Sequence, residues 1–227
     1  MDKPRPRPAP IGPGALVWYA AYGSNMSADR LARYLTGGRP TGAARTHRGS
    51  RDRTPPARSL PIRLPGILYF AHESPLWGGG IGFYDPSRHG EMPARAHLLT
   101  AGQFSDIAAQ EMRREPGAGL DLTRALTTGR DQLGPSHYEM LLLLGSIDGI
   151  PVLTFTSPWT VTDADLNPPS AAYLTAIATG LAESHGWTPA QSAVYLATRP
   201  GATVRWTPRS ALRAILSASA GPSALHP

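Results

Sequence analysis

The chain has 227 residues, no cysteine and a formal net charge of +6 at pH 7. A chain without cysteine has no disulfides, thiolate nucleophiles or cysteine-ligated metal centres. Its apolar runs are far shorter than the roughly 20 residues that a membrane-spanning helix needs, and prolines interrupt the N-terminal segment where a signal peptide needs a continuous apolar stretch. We therefore expect a cytoplasmic protein that does not associate with membranes.

The positive charge is concentrated in residues 39–63, which contain seven arginines and a single acid, Asp52. The charge of this segment therefore equals that of the whole chain. A surface that binds single-stranded nucleic acid combines arginines with aromatic side chains on which bases stack, and this segment has no aromatic residue. We interpret it as an arginine-rich surface loop and predict no nucleic-acid partner.

The beginning of the chain predicts an arm, one strand and one helix. Residues 1–14 alternate proline with arginine, which predicts a disordered arm. The aromatic and apolar run of residues 16–22 predicts a buried strand, since glycines bound it on both sides. Ser27 can cap a helix that continues to Leu35.

A long connection and three strands are expected next. Residues 36–64 show no hydrophobic periodicity and contain several prolines, which predicts an irregular Arg/Pro-rich loop. Short apolar runs bounded by Gly and Pro then predict strands at residues 66–72, 80–84 and 94–99.

The second half of the chain alternates helices with one hairpin. Thr100 followed three residues later by Gln103 forms a capping box, which opens a helix that ends before Pro116. An Asp-Gly pair between two apolar runs predicts a β-hairpin with strands at residues 139–146 and 151–157. Cap residues and hydrophobic periodicity predict three further helices, at residues 170–184, 188–198 and 208–216.

The helix that begins at Thr100 carries an acid on its apolar face. At about 100° per residue, Glu111 falls inside the stripe formed by Phe104, Ile107, Ala108 and Met112. An ionised carboxylate facing a core costs several kcal/mol unless it is paired, so its pKa tends to rise, as a general acid or base near neutrality requires. Glu111 is therefore a catalytic candidate, with a structural hydrogen-bonded role as the alternative reading. Glu115 points in a similar direction but borders Pro116, where water reaches it, and is the second candidate.

The loop Tyr22-Gly23-Ser24-Asn25 lies between the first strand and its helix. Glycine allows a tight turn there, and the amides of Ser24, Asn25 and Met26 at a helix start are oriented to bind an anion such as a carboxylate. An ordinary strand-to-helix turn is the alternative.

Residues 19–26, with the sequence YAAYGSNM, resemble the Tyr-Gly-Ser-Asn loop that follows the first strand in the γ-glutamyl cyclotransferase-like proteins. Later landmarks have the same order as in that family: Trp77 with the glycine run and Tyr84-Asp85-Pro86, the Gln110-Glu111 pair, and Pro168-Pro169-Ser170 with Tyr173. The resemblance covers residues 16–175. It implies an α+β fold, with a small mixed β-barrel or a strongly curved sheet covered by helices on the outside. We expect residues 15–185 to form this domain and residues 186–227 a C-terminal helical extension.

The resemblance implies a reaction in which the α-amine of a γ-glutamyl group attacks its own side-chain carbonyl. The products are 5-oxoproline and a free amine or amino acid. Because the nucleophile belongs to the small-molecule substrate, no metal and no cofactor is expected. The resemblance assigns both proton transfers to Glu111, and substrate binding to the Tyr22, Gly23, Ser24, Asn25 and Met26 loop and to Tyr173.

Two other functions are compatible with the sequence. An amide hydrolase or acyl-processing enzyme can use the same base and amide donors to activate water. A non-catalytic module can retain the pocket for a small molecule and use the arginine-rich segment for a partner. Under the cyclotransferase hypothesis, arginines of residues 39–63 close over the site and select an acidic or extended leaving group.

Overall fold

A computed structural model describes residues 11–38, 48–117 and 119–219 of the chain. Most of the predicted arm (1–14) and residues 39–47 of the predicted loop lie outside these ranges. Among the described residues, no helix is long and apolar enough to cross a membrane.

The fold is α+β and is built on a mixed six-stranded sheet in the order β2-β5-β1-β8-β7-β6. β1 runs parallel to β8, and the other neighbours in this sheet pair antiparallel. A second sheet contains only β3 and β4. The strands are β1 (Leu16–Ala21), β2 (Arg58–Pro65), β3 (Ile67–Ala71), β4 (Ile81–Asp85), β5 (Glu91–Thr100), β6 (Arg130–Gln132), β7 (Met140–Ile147) and β8 (Ile150–Thr156).

Within the described ranges, six α-helices and one short 3-10 helix, Ser24–Met26, accompany the strands. The α-helices are α1 (Ala28–Thr36), α2 (Ala101–Glu111), α3 (Thr123–Thr128), α4 (Ala171–His185), α5 (Pro189–Ala197) and α6 (Pro208–Ser219). The capping box predicted for α2 is present, because Thr100 Oγ1 accepts from the Gln103 amide at 3.1 Å and Gln103 Oε1 accepts from the Thr100 amide at 3.0 Å.

The predicted α+β class is confirmed, and the six predicted strands correspond to β1, β3, β4, β5, β7 and β8. The barrel form of the prediction is absent from the described residues, since β2 and β6 form two edges of the main sheet. A curved open sheet covered by helices is the compatible form. α3 and β6 are short elements that no sequence pattern predicted.

The prediction of an irregular loop over residues 36–64 is wrong in its last part, which forms β2. β2 contains Pro61 and Pro65 and pairs with β5 alone, at the edge of the sheet. Proline lacks an amide hydrogen, so it is tolerated in a strand where one side needs no partner. The prolines that suggested a loop are therefore compatible with an edge strand.

The C-terminal helices α5 and α6 pack on the same hydrophobic core as the sheet. Leu196, Ala211 and Ile215 are buried in this core, and the Trp206 indole donates to the carbonyl of Pro169 at 2.8 Å. These contacts fix the position of the N-terminal end of α4, the helix that packs against the loop after β1.

Candidate active site

A cavity of about 350 Å³ opens where β1, α2 and the residues before β7 meet. Its walls include the loop after β1, the end of α2, and aromatic side chains from other elements. Of the predicted site residues, the cavity is lined by Tyr22, Gly23, Ser24, Asn25, Glu111, Glu115 and Tyr173. The fold therefore brings together residues that are as much as 151 positions apart in the sequence, from Tyr22 to Tyr173.

The loop after β1 leads directly into the 3-10 helix. Within the described part of the chain, the backbone amides of Ser24 and Asn25 have no hydrogen-bond acceptor, as an anion site requires. Met26 differs, because its amide donates to the Gly23 carbonyl at 3.1 Å and its side chain is buried away from the cavity. Two of the three predicted amide donors are therefore available to a ligand, and Met26 belongs to the core.

α4 packs against this loop through Gly180, which lies close to Met26 and Ser27. A Cβ atom added at Gly180 would lie 2.5 Å from the Met26 Cβ and 2.8 Å from the Ser27 amide nitrogen. Only glycine at this position allows the helix to approach the loop backbone so closely. The helix therefore fixes the position of the loop through backbone packing.

Glu111 is the last residue of α2 and is partly exposed to the cavity. Its Oε1 accepts a hydrogen bond from Asn25 Nδ2 at 2.9 Å, and the Tyr34 hydroxyl forms a second hydrogen bond to this carboxylate. Burial raises the pKa of Glu111, although these two hydrogen bonds and the charge of Arg30 act in the opposite direction. The net effect is a carboxylic acid suited to both accepting and donating a proton.

The four apolar residues of the predicted stripe on α2 are buried, as expected: Phe104, Ile107, Ala108 and Met112. α2 ends before Pro116, as predicted, and its last residue is Glu111. Glu115 consequently lies outside the helix, with a side chain that is 66% exposed and ion-paired with Arg48. It lines the outer part of the cavity, whereas Glu111 contacts the loop after β1.

Five tyrosines line the cavity, and burial raises the pKa of each: the buried Tyr19, Tyr22, Tyr34 and Tyr173, and the half-buried Tyr138. The pKa of Tyr173 rises to about 12, so its hydroxyl stays protonated at neutral pH. Tyr173 accepts from the Gly82 amide at 3.3 Å. Its hydroxyl also forms a side-chain hydrogen bond with Tyr138, and as a protonated phenol it can donate to a substrate oxygen.

His97 supports the loop from β5 and was not singled out by the sequence. It is 1% exposed, and its Nδ1 lies 2.8 Å from the Ser59 hydroxyl. Its Nε2 lies 3.2 Å from the Asn25 carbonyl, which requires a proton on Nε2 and leaves Nδ1 to accept from Ser59. Burial, reinforced by Arg95, lowers the pKa of His97 to about 3. A neutral imidazole thus ties the Asn25 backbone to the edge strand β2.

Two buried polar atoms near Glu111 have no protein partner among the described residues: Asn25 Oδ1 and Arg30 Nε. The other atom of the Asn25 amide, Nδ2, is already bonded to Glu111. The Arg30 guanidinium lies 4.7 Å from the centroid of Trp77, which in turn packs 5.3 Å from the Tyr173 ring. Since unsatisfied buried polar atoms are costly, Asn25 Oδ1, whose residue lines the cavity, indicates a site that a polar ligand completes.

No family model matches the sequence. Histone deacetylase 5 of Arabidopsis thaliana is 29% identical to this chain over 187 residues, which cover 74% of the chain. The chain spans about 28% of the length of that curated relative.

Three solved structures are similar to this chain at low identity. A γ-glutamyl cyclotransferase matches with a TM-score of 0.45 and 16% identity, covering 74% of this chain and 80% of its own. An uncharacterized protein from Homo sapiens matches with a TM-score of 0.44, 16% identity and the same two coverages, 74% and 80%. YkqA from Bacillus subtilis matches with a TM-score of 0.44 and 14% identity, covering 82% of this chain and 55% of its own.

Proposed function

We propose that this chain is a cyclotransferase that releases 5-oxoproline from a γ-glutamyl amide. The observation that carries the proposal is the juxtaposition of Glu111, a carboxylate with a raised pKa, and the unpaired amides of Ser24 and Asn25 in one cavity. Together these groups supply a proton acceptor and anion donors. Intramolecular attack by the substrate needs nothing further from the protein except orientation.

Glu111 first accepts a proton from the α-ammonium of the substrate, which frees the lone pair of the nitrogen. Asn25 Oδ1 is a second acceptor for this ammonium, because it is buried without a partner beside the atom that holds Glu111. The amine nitrogen then attacks the γ-carbonyl carbon and forms the five-membered ring. Asn25 thus orients both the base and the nucleophile.

The attack converts the γ-carbonyl oxygen into an oxyanion. The amides of Ser24 and Asn25 and the hydroxyl of Tyr173 are donors in the same cavity that can stabilise this charge and the substrate carboxylate. Protonated Glu111 then returns its proton to the leaving nitrogen as the carbon–nitrogen bond breaks. The ring nitrogen still carries a second proton from the ammonium, and Glu111 accepts this proton and passes it to the released amine. One carboxylate therefore completes the cycle in its starting state, and the reaction uses no metal or cofactor.

The activity in the name of the Arabidopsis protein is not transferred, because this chain spans about 28% of that protein. Hydrolysis by the same residues is the main competing reaction, since a base and two amide donors can also activate water. The two reactions differ in product: cyclisation gives 5-oxoproline and requires a free α-amine, whereas hydrolysis gives glutamate and tolerates a blocked amine.

The test is mass spectrometry of the purified protein incubated with γ-glutamyl amines and γ-glutamyl dipeptides, with 5-oxoproline and glutamate measured separately. Glu111→Gln keeps the shape of the side chain but cannot accept the proton, so we expect 5-oxoproline formation to fall by a factor of about 10² to 10⁴. Glu115→Gln is the matched control on the outer part of the same cavity, and we expect it to retain turnover.

Three results would contradict the proposal. Full activity of Glu111→Gln would remove its proposed role as acid and base. Glutamate as the product, with turnover of N-acetylated substrates, would favour hydrolysis. An absence of both products across the panel would favour a binding module.

A further inference from the structure

Three arginines line the outer part of the cavity, and two of them are already paired. Arg48 forms an ion pair with Glu115, and Arg114 forms one with Glu139. Arg113 also lines the cavity and is exposed, yet it has no acidic partner among the residues that the structure describes. Arg113 is therefore a cation at the opening that no acidic side chain of the described residues pairs.

The backbone of Arg113 is in an unfavourable conformation, with a φ of 59°. It directly follows Met112, the C-cap of α2, and the chain turns there because the Arg114 amide donates to the Ala109 carbonyl at 2.7 Å. Glycine is the usual residue at such a helix end, because a side chain in the left-handed region is strained. A large charged residue in this position is a reason to look for a functional role.

The position of Arg113 relative to Glu111 suggests that role. Glu111 donates its proton to the leaving nitrogen in the proposed reaction, and Arg113 is two residues further along the chain and lines the same cavity. In an α-amino acid the nitrogen and the carboxylate are attached to the same carbon. A cation that binds the carboxylate of a leaving amino acid must therefore lie close to the group that protonates its nitrogen.

His137 forms the neighbouring part of the wall and is half-buried. Its pKa is lowered by burial, by His72 and by Arg113, so the imidazole is neutral near pH 7. A neutral imidazole donates one hydrogen bond without adding charge. The planar guanidinium of Arg113 supplies the charge and the paired donors that a carboxylate matches.

We propose that Arg113 determines specificity by binding a carboxylate on the leaving group, so that the preferred substrates are γ-glutamyl amino acids or peptides rather than uncharged γ-glutamyl amines. This inference rests on the proposed function. The arginine concerned lies outside the segment 39–63 to which the sequence assigned the same selection. Arg48, from that segment, lines the cavity but is neutralised by Glu115.

The experiment compares two substrates that differ only in one charge: γ-glutamyl-alanine and its C-terminal carboxamide. We expect the wild-type chain to prefer the acid by about tenfold in kcat/KM, the typical effect of one charge-assisted hydrogen bond pair. Arg113→Gly removes the guanidinium and relieves the left-handed backbone, so the variant is expected to fold with a Tm at or above that of the wild type. It should lose the preference while turnover of the carboxamide stays within twofold.

Arg124→Gln is the matched control, because it removes the same charge from an exposed arginine of α3 that does not line the cavity. We expect this variant to keep the full preference for the acid. Equal kcat/KM of the wild type on both substrates, or an equal loss on both in Arg113→Gly, would overturn the assignment of Arg113.

Binding measurements separate this inference from the proposed chemistry. Calorimetry with both compounds is carried out on Glu111→Gln, with and without Arg113→Gly, so that no turnover occurs. Tighter binding of the acid that depends on Arg113 supports the carboxylate site even if the wild type forms no 5-oxoproline, in which case only the proposed reaction fails. Equal binding of acid and carboxamide refutes the site whatever the reaction is.

Discussion

His97 is predicted to make the stability of this protein depend on pH. Its ring is 1% exposed and is hydrogen-bonded at both nitrogens, to Ser59 and to the Asn25 carbonyl. Burial and the charge of Arg95 lower its pKa from 6.5 to about 3. The unfolded chain accepts a proton near pH 6.5. The folded chain cannot accept it without placing a positive charge in the interior, beside Arg95, and a proton on Nδ1, the nitrogen that accepts from Ser59.

The sign and size of the effect follow from this difference in pKa. Above pH 6.5 both states are neutral and the contribution of His97 is fully present. As the pH falls below 6.5, the unfolded state gains a proton, so stability is lost until the folded state is protonated near pH 3. The slope is about 1.4 kcal/mol per pH unit, so the free energy of unfolding falls by roughly 3 kcal/mol between pH 6.5 and pH 4 through this group alone.

The assay is urea unfolding of the wild type and His97→Gln at several pH values between 4 and 8. Glutamine can offer a donor and an acceptor to the same partners but does not titrate. Carboxylates and other histidines contribute equally to both proteins, so the difference between the two curves isolates His97. We expect the two free energies of unfolding to converge by roughly 3 kcal/mol between pH 6.5 and pH 4. Parallel curves would refute the argument.

Two further variants test how the loop after β1 and the contacts of α2 to Arg51 and Gly117 are held. Gly180→Ala places a Cβ atom 2.5 Å from the Met26 Cβ, so we expect the loop after β1 to shift. We expect 5-oxoproline formation, measured by mass spectrometry, to fall about 100-fold. Unchanged turnover would show that α4 does not fix the position of the loop. The buried carboxylate of Asp106 accepts from the Arg51 amide at 2.9 Å, from the Arg51 guanidinium at 3.1 Å and from the Gly117 amide at 3.0 Å. Asp106→Asn replaces one of its two acceptor oxygens by an NH2 donor. We expect a loss of about 1 to 3 kcal/mol in urea unfolding, and an unchanged midpoint would contradict this.

Much of the secondary structure could be predicted because its signals are local. Thr100 and Gln103 define the start of α2 by bonding to each other's backbone, and the Asp-Gly pair at residues 148–149 forms the β7–β8 turn with φ values of 52° and 76°. The apolar stripe on α2 predicted that Glu111 lies on the apolar face, because helical periodicity alone places a residue on a face of a helix. These features need only residues that are neighbours in the chain.

The remaining features depend on contacts between distant residues. β2 is a strand although it contains Pro61, because an edge strand pairs on one side only and the missing amide hydrogen of proline leaves no pairing hydrogen bond unmade. The support that His97 gives to Asn25 and the separation of Met26 from the cavity likewise arise from packing across the sheet. No local pattern encodes which partner a buried polar atom finds.

The sequence by itself determined the loop after β1, the capped helix and the acid on its apolar face, because turn, cap and periodicity are properties of short segments. The sequence ranked Glu111 before Glu115, and only the tertiary structure supplied their partners, Asn25 for Glu111 and Arg48 for Glu115. Among the described residues it likewise left Arg113 without an acidic partner at the cavity, because which arginines find acidic partners depends on how distant segments pack together.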